Sequence, residues 1–223
     1  MELNLKKSLN NIKFLNYWNK MYEDKNVFGT GETKLARYAQ ELLKNYSVEN
    51  MLEIGCGQGR DSIFFAQLGY KIKSFDISHN AIEFVSELKK KHELKNLEAK
   101  SHDARIPYDY PDEHFDFIYS NLALQFFDVI ELRTIFRNVS KVIKKDAPFF
   151  FSSKKIGDKY HNTGTKINDY AYSFKGVIRY FYDEQTWSDI LSEYFDVIKI
   201  DFDEHVNLDE TKSVWWKILV KKK

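Results

Sequence analysis

Residues 51–66 have the sequence Met51-Leu-Glu-Ile-Gly-Cys-Gly-Gln-Gly59-Arg-Asp-Ser-Ile-Phe-Phe-Ala66. A short apolar segment is followed by three alternating glycines and then by apolar residues at helical spacing, which is typical of a buried strand, a tight turn and a helix. Side chains at Gly55, Gly57 and Gly59 would hold a ligand away from the backbone and would resist positive φ angles. We therefore expect the turn to offer free N–H groups and a helix N-terminus to a nucleotide-like ligand.

The spacing of the glycines separates two classes of ligand. The dinucleotide fingerprint Gly-x-Gly-x-x-Gly uses its third glycine for close helix packing and its helix N-terminus for a pyrophosphate. Here Arg60 occupies the third position, and Glu53 adds a negative charge close to where the pyrophosphate would lie. A cationic ligand suits this arrangement better.

Residues 53–59 resemble motif I of the class I methyltransferases that depend on S-adenosylmethionine (SAM), and the resemblance extends over about residues 28–221. It implies SAM as the cofactor and S-adenosylhomocysteine (SAH) as its product. The first cofactor-binding residues that it implies are Glu53, Gly55, Cys56, Gly57 and Gly59.

The segment Ser120-Asn-Leu-Ala123 follows the fourth predicted strand, where the methyl-transfer motif of the family ends. It lacks the Asp/Asn-Pro-Pro-aromatic pattern of DNA amine and protein-glutamine methyltransferases. The chain is therefore more similar to the small-molecule branch, which includes the tellurite-resistance and thiopurine-type enzymes. Asn121 is the cofactor-binding residue implied at this exit.

Composition and charge limit the organisation and the partners of the chain. Its 223 residues are 43% hydrophobic and 30% charged, with a formal net charge of +1, which indicates a globular protein with no electrostatic case for nucleic acid or a membrane as partner. A lone cysteine indicates a reducing compartment, and we expect the cytoplasm. We expect a single domain over 1–223, with an N-terminal helical cap over 1–45 and a SAM-binding core over 46–223.

The predicted fold is α/β, a Rossmann-like doubly wound sheet of seven strands, mostly parallel with an antiparallel last strand, plus N-terminal helices. Apolar spacing predicts helices over 12–22, 33–44, 80–92, 129–144 and 183–194, and paired strands over 196–202 and 213–221. The stretch 153–176 has no clear periodicity. We interpret it as a candidate substrate lid, with a mobile surface loop as the alternative.

Two acids follow the second and third predicted strands. Asp76 lies about 20 residues beyond the glycine turn, where a doubly wound sheet places a carboxylate against ribose hydroxyls; a helix N-cap is the alternative, although Ser78 could cap the helix instead. Ile77 would then lie against the adenine. The resemblance implies that Asp103 and Ala104 bind the adenine ring edge, while an Asx turn is the alternative for Asp103.

The acceptor site is less clearly marked. Trp18 and Tyr22 are candidates to stabilise the sulfonium by cation–π attraction, with helix packing as the alternative. Gln125 lies in the strand-four exit, His161 lies in the predicted lid, and Arg179 is a candidate to orient an anionic substrate or is a surface arginine. No general base is assigned, and the cluster Asp201, Asp203, Glu204 and His205 is interpreted as solvated charge, so no metal is expected.

The predicted function is SAM-dependent methyl transfer to a small-molecule acceptor. A catalytically silent SAM-binding regulator or partner subunit is the alternative, because Ser120-Asn-Leu-Ala123 offers no evident catalytic acid. An NAD-dependent oxidoreductase is a further alternative, supported by the glycine turn and Asp76 and opposed by Arg60.

Overall fold

The computed structural model describes residues 2–223, with side chains from residue 11 onward. The helices are α1 (Glu2–Met21), α2 (Lys34–Leu43), α3 (Arg60–Gln67), α4 (His79–Lys91), α5 (Val129–Val142) and α6 (Glu184–Leu191), with a 3-10 turn at Leu124–Phe126. The strands are β1 (Asn50–Ile54), β2 (Lys71–Asp76), β3 (Leu97–Ser101), β4 (Phe117–Asn121), β5 (Pro148–Lys154), β6 (Thr165–Asn168), β7 (Ala171–Phe174), β8 (Val177–Tyr180), β9 (Phe195–Val206) and β10 (Lys212–Lys222).

Seven strands form one sheet in the order β3-β2-β1-β4-β5-β10-β9. The pairs from β3 to β5 are parallel, and β10 runs antiparallel to both β5 and β9. The predicted seven-stranded sheet with an antiparallel last strand is confirmed. Because parallel strands end at the same edge, the segments after β1, β2, β4 and β5 meet there.

Helices cover both faces of the sheet, so its central strands are apolar on both sides. Phe149 and Phe151 pack in a cluster with residues of α5 and α6, whereas Phe150 packs in a second cluster with residues of α2, α3 and α4. Each of these rings is at most 1% exposed, and full burial of one such side chain contributes roughly 1.5–3 kcal/mol. The run Phe149-Phe-Phe151 therefore joins the two halves of the core.

Helix caps explain where several helices begin. Thr33 Oγ1 accepts a hydrogen bond from Ala36 N at the start of α2. Asp128 and Glu131 form a reciprocal capping box on α5, which satisfies two backbone N–H groups that the helix itself leaves unpaired.

The prediction of an aperiodic loop over 153–176 is wrong in part. β5 continues through Lys154, and the second half of the segment forms β6 and β7, which pair with β8 in a separate three-stranded antiparallel sheet. These strands have four residues each, and all of β6 is exposed, so no alternation of apolar and polar residues marks them in the sequence.

Within the part of the chain that the structure describes, no helix combines the length and the apolar character needed to cross a membrane. Nor do residues 11–223 bring together three or more His, Cys, Asp or Glu side chains in a group that could hold a metal ion.

Candidate active site

A cavity of about 460 Å³ lies where β1, β2, β4 and β5 end. Helix α1 contributes Phe14 and Trp18 to its wall, the turn directly after α1 contributes Tyr22, and the small sheet contributes Arg179. Most of the predicted site residues line this one cavity: Trp18, Tyr22, Glu53, Gly55, Cys56, Gly57, Asp76, Ile77, Asp103, Ala104, Asn121, Gln125 and Arg179.

The glycine turn shapes the cavity because its glycines lack side chains that would fill it. Most of its backbone N–H groups donate hydrogen bonds to other groups of the protein. The N–H groups of Gly55 and Cys56 both donate to Phe75 O, at 2.8 and 3.1 Å, and Gly57 N donates to Asp76. The expectation that these amides are free for a ligand is therefore wrong. A β-carbon at Gly57 would lie 2.7 Å from Tyr22 Oη, so only glycine lets this tyrosine approach the turn.

Gly59 does not line the cavity. It is the N-cap residue of α3 with φ of 78°, and a β-carbon there would lie 2.7 Å from Val85 on α4. Its role is close packing between the turn and a neighbouring helix, so the assignment of Gly59 to cofactor binding is corrected.

Asp76 is 8% exposed and is held by two backbone donors. Its Oδ2 accepts from Gly57 N at 2.9 Å and its Oδ1 accepts from Ser78 N at 2.9 Å. The Ser78 side chain caps α4 by accepting from Ala81 N, so the capping role is filled without Asp76. The carboxylate is thus fixed in orientation at the cavity wall with lone pairs left for ligand hydroxyls.

Three buried carboxyl groups, Glu53, Asp61 and Asp76, surround the turn, each at most 8% exposed. Burial, and then the charge of Asp61, raise the pKa of Glu53 well above its usual value, while a hydrogen bond from Ser62 opposes the shift. Burial also raises the pKa of Asp76 against its two backbone donors. None of the three pairs with a cation among residues 11–223, so this end of the cavity favours a positively charged ligand.

Asp61 anchors a polar network that sequence reasoning missed. It accepts from Thr33 N and Thr33 Oγ1, both at 2.8 Å, and from Tyr119 Oη at 2.8 Å. Asn121 Nδ2 donates to Thr33 Oγ1 at 3.1 Å, and Ser152 Oγ donates to Asn121 Oδ1 at 2.7 Å. These bonds join residues 28 to 88 positions apart in the chain, so no local pattern marks them.

Asp103 is engaged by Arg105. The arginine forms an ion pair with it at 2.6 Å, and Arg105 N donates to Asp103 Oδ1 at 2.9 Å in an Asx turn. Arg105 also pairs with Glu131 at 2.8 Å and donates to Asn11 Oδ1 at 2.6 Å. The Asx-turn alternative thus describes the local geometry, while Asp103 and Ala104 still line the cavity.

Aromatic side chains of α1 cover the cavity. Trp18 stacks on Tyr22 with ring centres 5.7 Å apart and meets Phe126 edge-on at 5.0 Å. Burial, and then the Asp76 charge, raise the pKa of the Tyr22 hydroxyl, so it stays protonated beside the turn. Helix packing and contact with the cavity are therefore combined in the same rings.

The opposite end of the cavity is rich in hydrogen-bond donors. Arg179 is 8% exposed, and its Nη1 has no hydrogen-bond partner among the described residues. Its guanidinium carbon lies 4.6 Å from the ring centre of Tyr160 and 5.5 Å from that of Phe126. Gln125 Oε1 accepts from Lys154 N at 3.0 Å, so its amide nitrogen is the end that can donate to a ligand.

His161 does not line the cavity, and its assignment to substrate binding is corrected. Its ring packs against Tyr172 and Phe181 at 5.3 and 5.2 Å, and burial lowers its pKa. The neighbouring Tyr160 lines the cavity instead. A predicted loop gave no register for choosing between adjacent residues, whereas the folded turn directs the two rings to different places.

The family model for tellurite resistance protein TehB matches residues 11–147, more than half of the 223 residues. The chain belongs to the TehB family. A probable S-adenosyl-L-methionine-dependent methyltransferase TehB from Haemophilus influenzae (strain 10810) is 34% identical over 91 residues, 41% of this chain and 31% of that protein. The matched stretch thus spans about a third of this TehB relative.

Solved structures show the same fold. A SAM-dependent methyltransferase from Methanosarcina mazei has a TM-score of 0.70 at 21% identity, covering 81% of this chain and 96% of that chain. TehB from Haemophilus influenzae has a TM-score of 0.63 at 20% identity, covering 94% of this chain and 67% of that chain. The predicted class, the class I SAM-dependent methyltransferases, and the predicted Rossmann-like fold are confirmed.

Three residues at the donor-rich end of the cavity lie beyond the TehB-family match, which ends at residue 147. Lys154 and Tyr160, which sequence reasoning missed, lie beyond residue 147, as does Arg179. The apolar run Phe149–Phe151, followed at once by Ser152, Ser153 and Lys154, is a signal that could have placed this lysine at the carboxyl end of β5.

Proposed function

We propose that this TehB-family protein transfers a methyl group from SAM to a small anionic acceptor. The observation that carries the proposal is Arg179, a buried guanidinium with an unpartnered Nη1 in the same cavity as the glycine turn and Asp76. A buried charge without a partner is costly, and an anion bound there would supply the missing partner.

The residues at the turn suit SAM, whose sulfonium and ammonium groups are cationic. Glu53, Asp61 and Asp76 give that end of the cavity its negative character, and Asp76 is oriented to accept from ribose hydroxyls. When bound, SAM supplies a methyl group already activated for transfer.

The remaining task of the protein is alignment and exclusion of water. Trp18 and Phe126 close the cavity with packed rings, and Gln125 and Arg179 can fix the oxygen atoms of the acceptor. An acceptor that is already an anion needs no proton removed before it attacks. The lack of an assigned general base is therefore compatible with this chemistry.

The family description points to one acceptor. Tellurite, the oxyanion in the name of the family, is small and negatively charged, and it has a lone pair on tellurium that can attack a methyl group. We propose tellurite in its singly protonated form, hydrogentellurite, or an oxyanion of similar size and charge, as the acceptor for this chain.

The proposal is tested by following SAH formation from SAM with tellurite. We expect Arg179→Met to lower kcat/KM about 10- to 100-fold, since a hydrogen bond to a charged group contributes about 1.5–3 kcal/mol. Arg137→Met, at an exposed position outside the cavity, is the matched control and should leave turnover unchanged.

Cofactor binding is tested separately by calorimetry with SAH. Asp76→Asn should weaken SAH binding by about tenfold or more, and Asp146→Asn, at an exposed position, should not. SAH binding without turnover of tellurite, selenite or small thiolates would favour a silent SAM-binding protein, and a wild type that binds no SAH would overturn the proposal.

A further inference from the structure

A buried ion pair stands beside the donor-rich end of the cavity. Lys154 Nζ donates to Asp158 Oδ2 at 2.6 Å, with side chains that are 10% and 0% exposed. Lys154 lines the cavity, and Asp158 lies behind it. The aspartate thus neutralises a cavity cation without itself reaching the cavity.

Asp158 is held rigidly in that position. Its Oδ2 also accepts from Val214 N at 2.9 Å, and its Oδ1 accepts from Tyr160 N at 3.0 Å. These bonds join the turn after β5 to β10 and place the Tyr160 ring against Arg179. This buried side chain therefore accepts three hydrogen bonds inside the protein, one of them within its ion pair with Lys154, and breaking such a pair by removing one partner leaves the other charge uncompensated.

Arg179, by contrast, keeps its charge uncompensated. Its neighbours are the rings of Phe126 and Tyr160, and among residues 11–223 it forms no ion pair with a carboxylate. The other two lysines of this turn lie outside the cavity lining: Lys155 Nζ lies over the rings of Phe202 and Trp216, and Lys159 is exposed and screened by water. The charges of Lys154, Asp158 and Arg179 therefore sum to one positive charge at the donor-rich end of the cavity.

We propose that Asp158 sets the charge of the acceptor, so that this end of the cavity selects a monoanion over a dianion. With a monoanion bound beside Arg179, the charges of Lys154, Asp158, Arg179 and the anion sum to zero. A dianion would leave a net negative charge in a poorly solvated site. Asp158 is a positioning residue, since it acts through Lys154 and not on the acceptor. The inference deepens the proposed function and rests on it.

The test uses two anions of similar shape that keep their charge across the neutral pH range. Methanesulfonate carries one negative charge and sulfate carries two, and their binding to the SAH-loaded protein is measured by calorimetry. We expect wild type to prefer methanesulfonate. Asp158→Asn, which leaves Lys154 uncompensated, should shift the ratio of the two dissociation constants toward sulfate by about tenfold or more.

A double variant separates charge from structure. Lys154→Met with Asp158→Asn removes both charges and restores a surplus of one, so its anion preference should return to that of wild type. A role of Asp158 in holding the turn alone would not be rescued by removing Lys154. Asp169→Asn, in the exposed pair with Lys166, is the control and should keep the wild-type ratio.

Each outcome bears on a different claim. If Asp158→Asn keeps the wild-type ratio of the two dissociation constants, or if the double variant does not recover the wild-type anion preference, the inference is overturned and the proposed function still stands. Failure of both anions to bind the SAH-loaded wild type would overturn the anionic acceptor itself. SAH affinity is measured in every variant to show that the fold is intact. If Asp158→Asn alone no longer binds SAH, the anion preference of the double variant decides whether the inference stands.

Discussion

Glu53 is a buried carboxyl group next to two others, and its protonation links folding to pH. Burial and the Asp61 charge raise its pKa in the folded protein. Protonation of Glu53 therefore stabilises the folded state. This contribution to the free energy of unfolding is fully present below the pKa of Glu53 in the unfolded chain, and it is lost as the pH rises through the higher pKa in the folded protein.

Glu53→Gln cannot ionise, so it should stabilise the cofactor-free protein at neutral pH. We expect the free energy of unfolding to rise by about 1–3 kcal/mol and to decline less steeply with rising pH. Urea unfolding at a series of pH values measures both effects. Glu87→Gln, at an exposed position, is the control, and parallel pH curves for wild type and Glu53→Gln would contradict the prediction.

The small antiparallel sheet of β6, β7 and β8 is the element that carries Arg179 into the cavity. Gly164 precedes β6 with φ of 85°, and a β-carbon there would lie 2.2 Å from Ser173 O on β7. Gly176, between β7 and β8, has a similar φ of 81° with nothing within 4 Å of an added β-carbon. The two glycines share a backbone conformation but differ in the space available for a β-carbon.

Gly164→Ala should therefore displace β6 from β7 and disturb the acceptor site. We expect KM for the acceptor to rise about tenfold or more, in line with the cost of a clash in packed structure, while SAH affinity stays unchanged. Gly176→Ala carries a similar backbone strain of about 1–2 kcal/mol without the clash. Equal effects of the two substitutions on KM would show that strain alone matters.

Hydrogen bonds to the Asn19 side chain tie helix α1 to the start of α4. Asn19 Oδ1 accepts from Ser78 Oγ at 2.9 Å and from His79 N at 3.0 Å. Asn19→Ala removes both bonds, so we expect amide exchange over residues 12–22 to speed up about tenfold, as for the loss of about 1–1.5 kcal/mol. Hydrogen-exchange mass spectrometry measures it.

The control for this prediction is Asn16→Ala, one turn earlier on an exposed position of α1. It removes the same kind of side chain with the same change in helix propensity. Faster exchange in both variants would mean that propensity, and not the bonds of Asn19, holds the helix in place.

At the scale of the whole molecule, the cofactor end of the cavity is built from segments after β1, β2, β3 and β4 and from α1, so a ligand there stabilises most of the fold. SAH at 100 times its dissociation constant should add about 2.7 kcal/mol to the free energy of unfolding. For a chain of this length we expect a rise in Tm of about 5–10 °C. NAD should give none, and a shift with NAD alone would support the oxidoreductase alternative.

Local sequence determined the architecture and the class of cofactor. The strand, glycine turn and helix of residues 51–66 are encoded in neighbouring residues, because backbone conformation and apolar period are local properties. The position of Asp76 followed from strand order, since parallel strands end at one edge. These features were predicted, and they agree with the TehB-family match.

Only the tertiary structure shows which residues meet at the donor-rich end of the cavity. The contacts of Arg179 with Phe126 and Tyr160, and of Asp158 with Val214, join residues 19 to 56 positions apart. The strands β6, β7 and β8, which carry Arg179, have four residues each and carry no periodic signal in the sequence. Long-range packing fixes where such side chains meet, so the sequence by itself determined the glycine turn and the sheet around it, and the tertiary structure decided which charged side chains line the donor-rich end of the cavity.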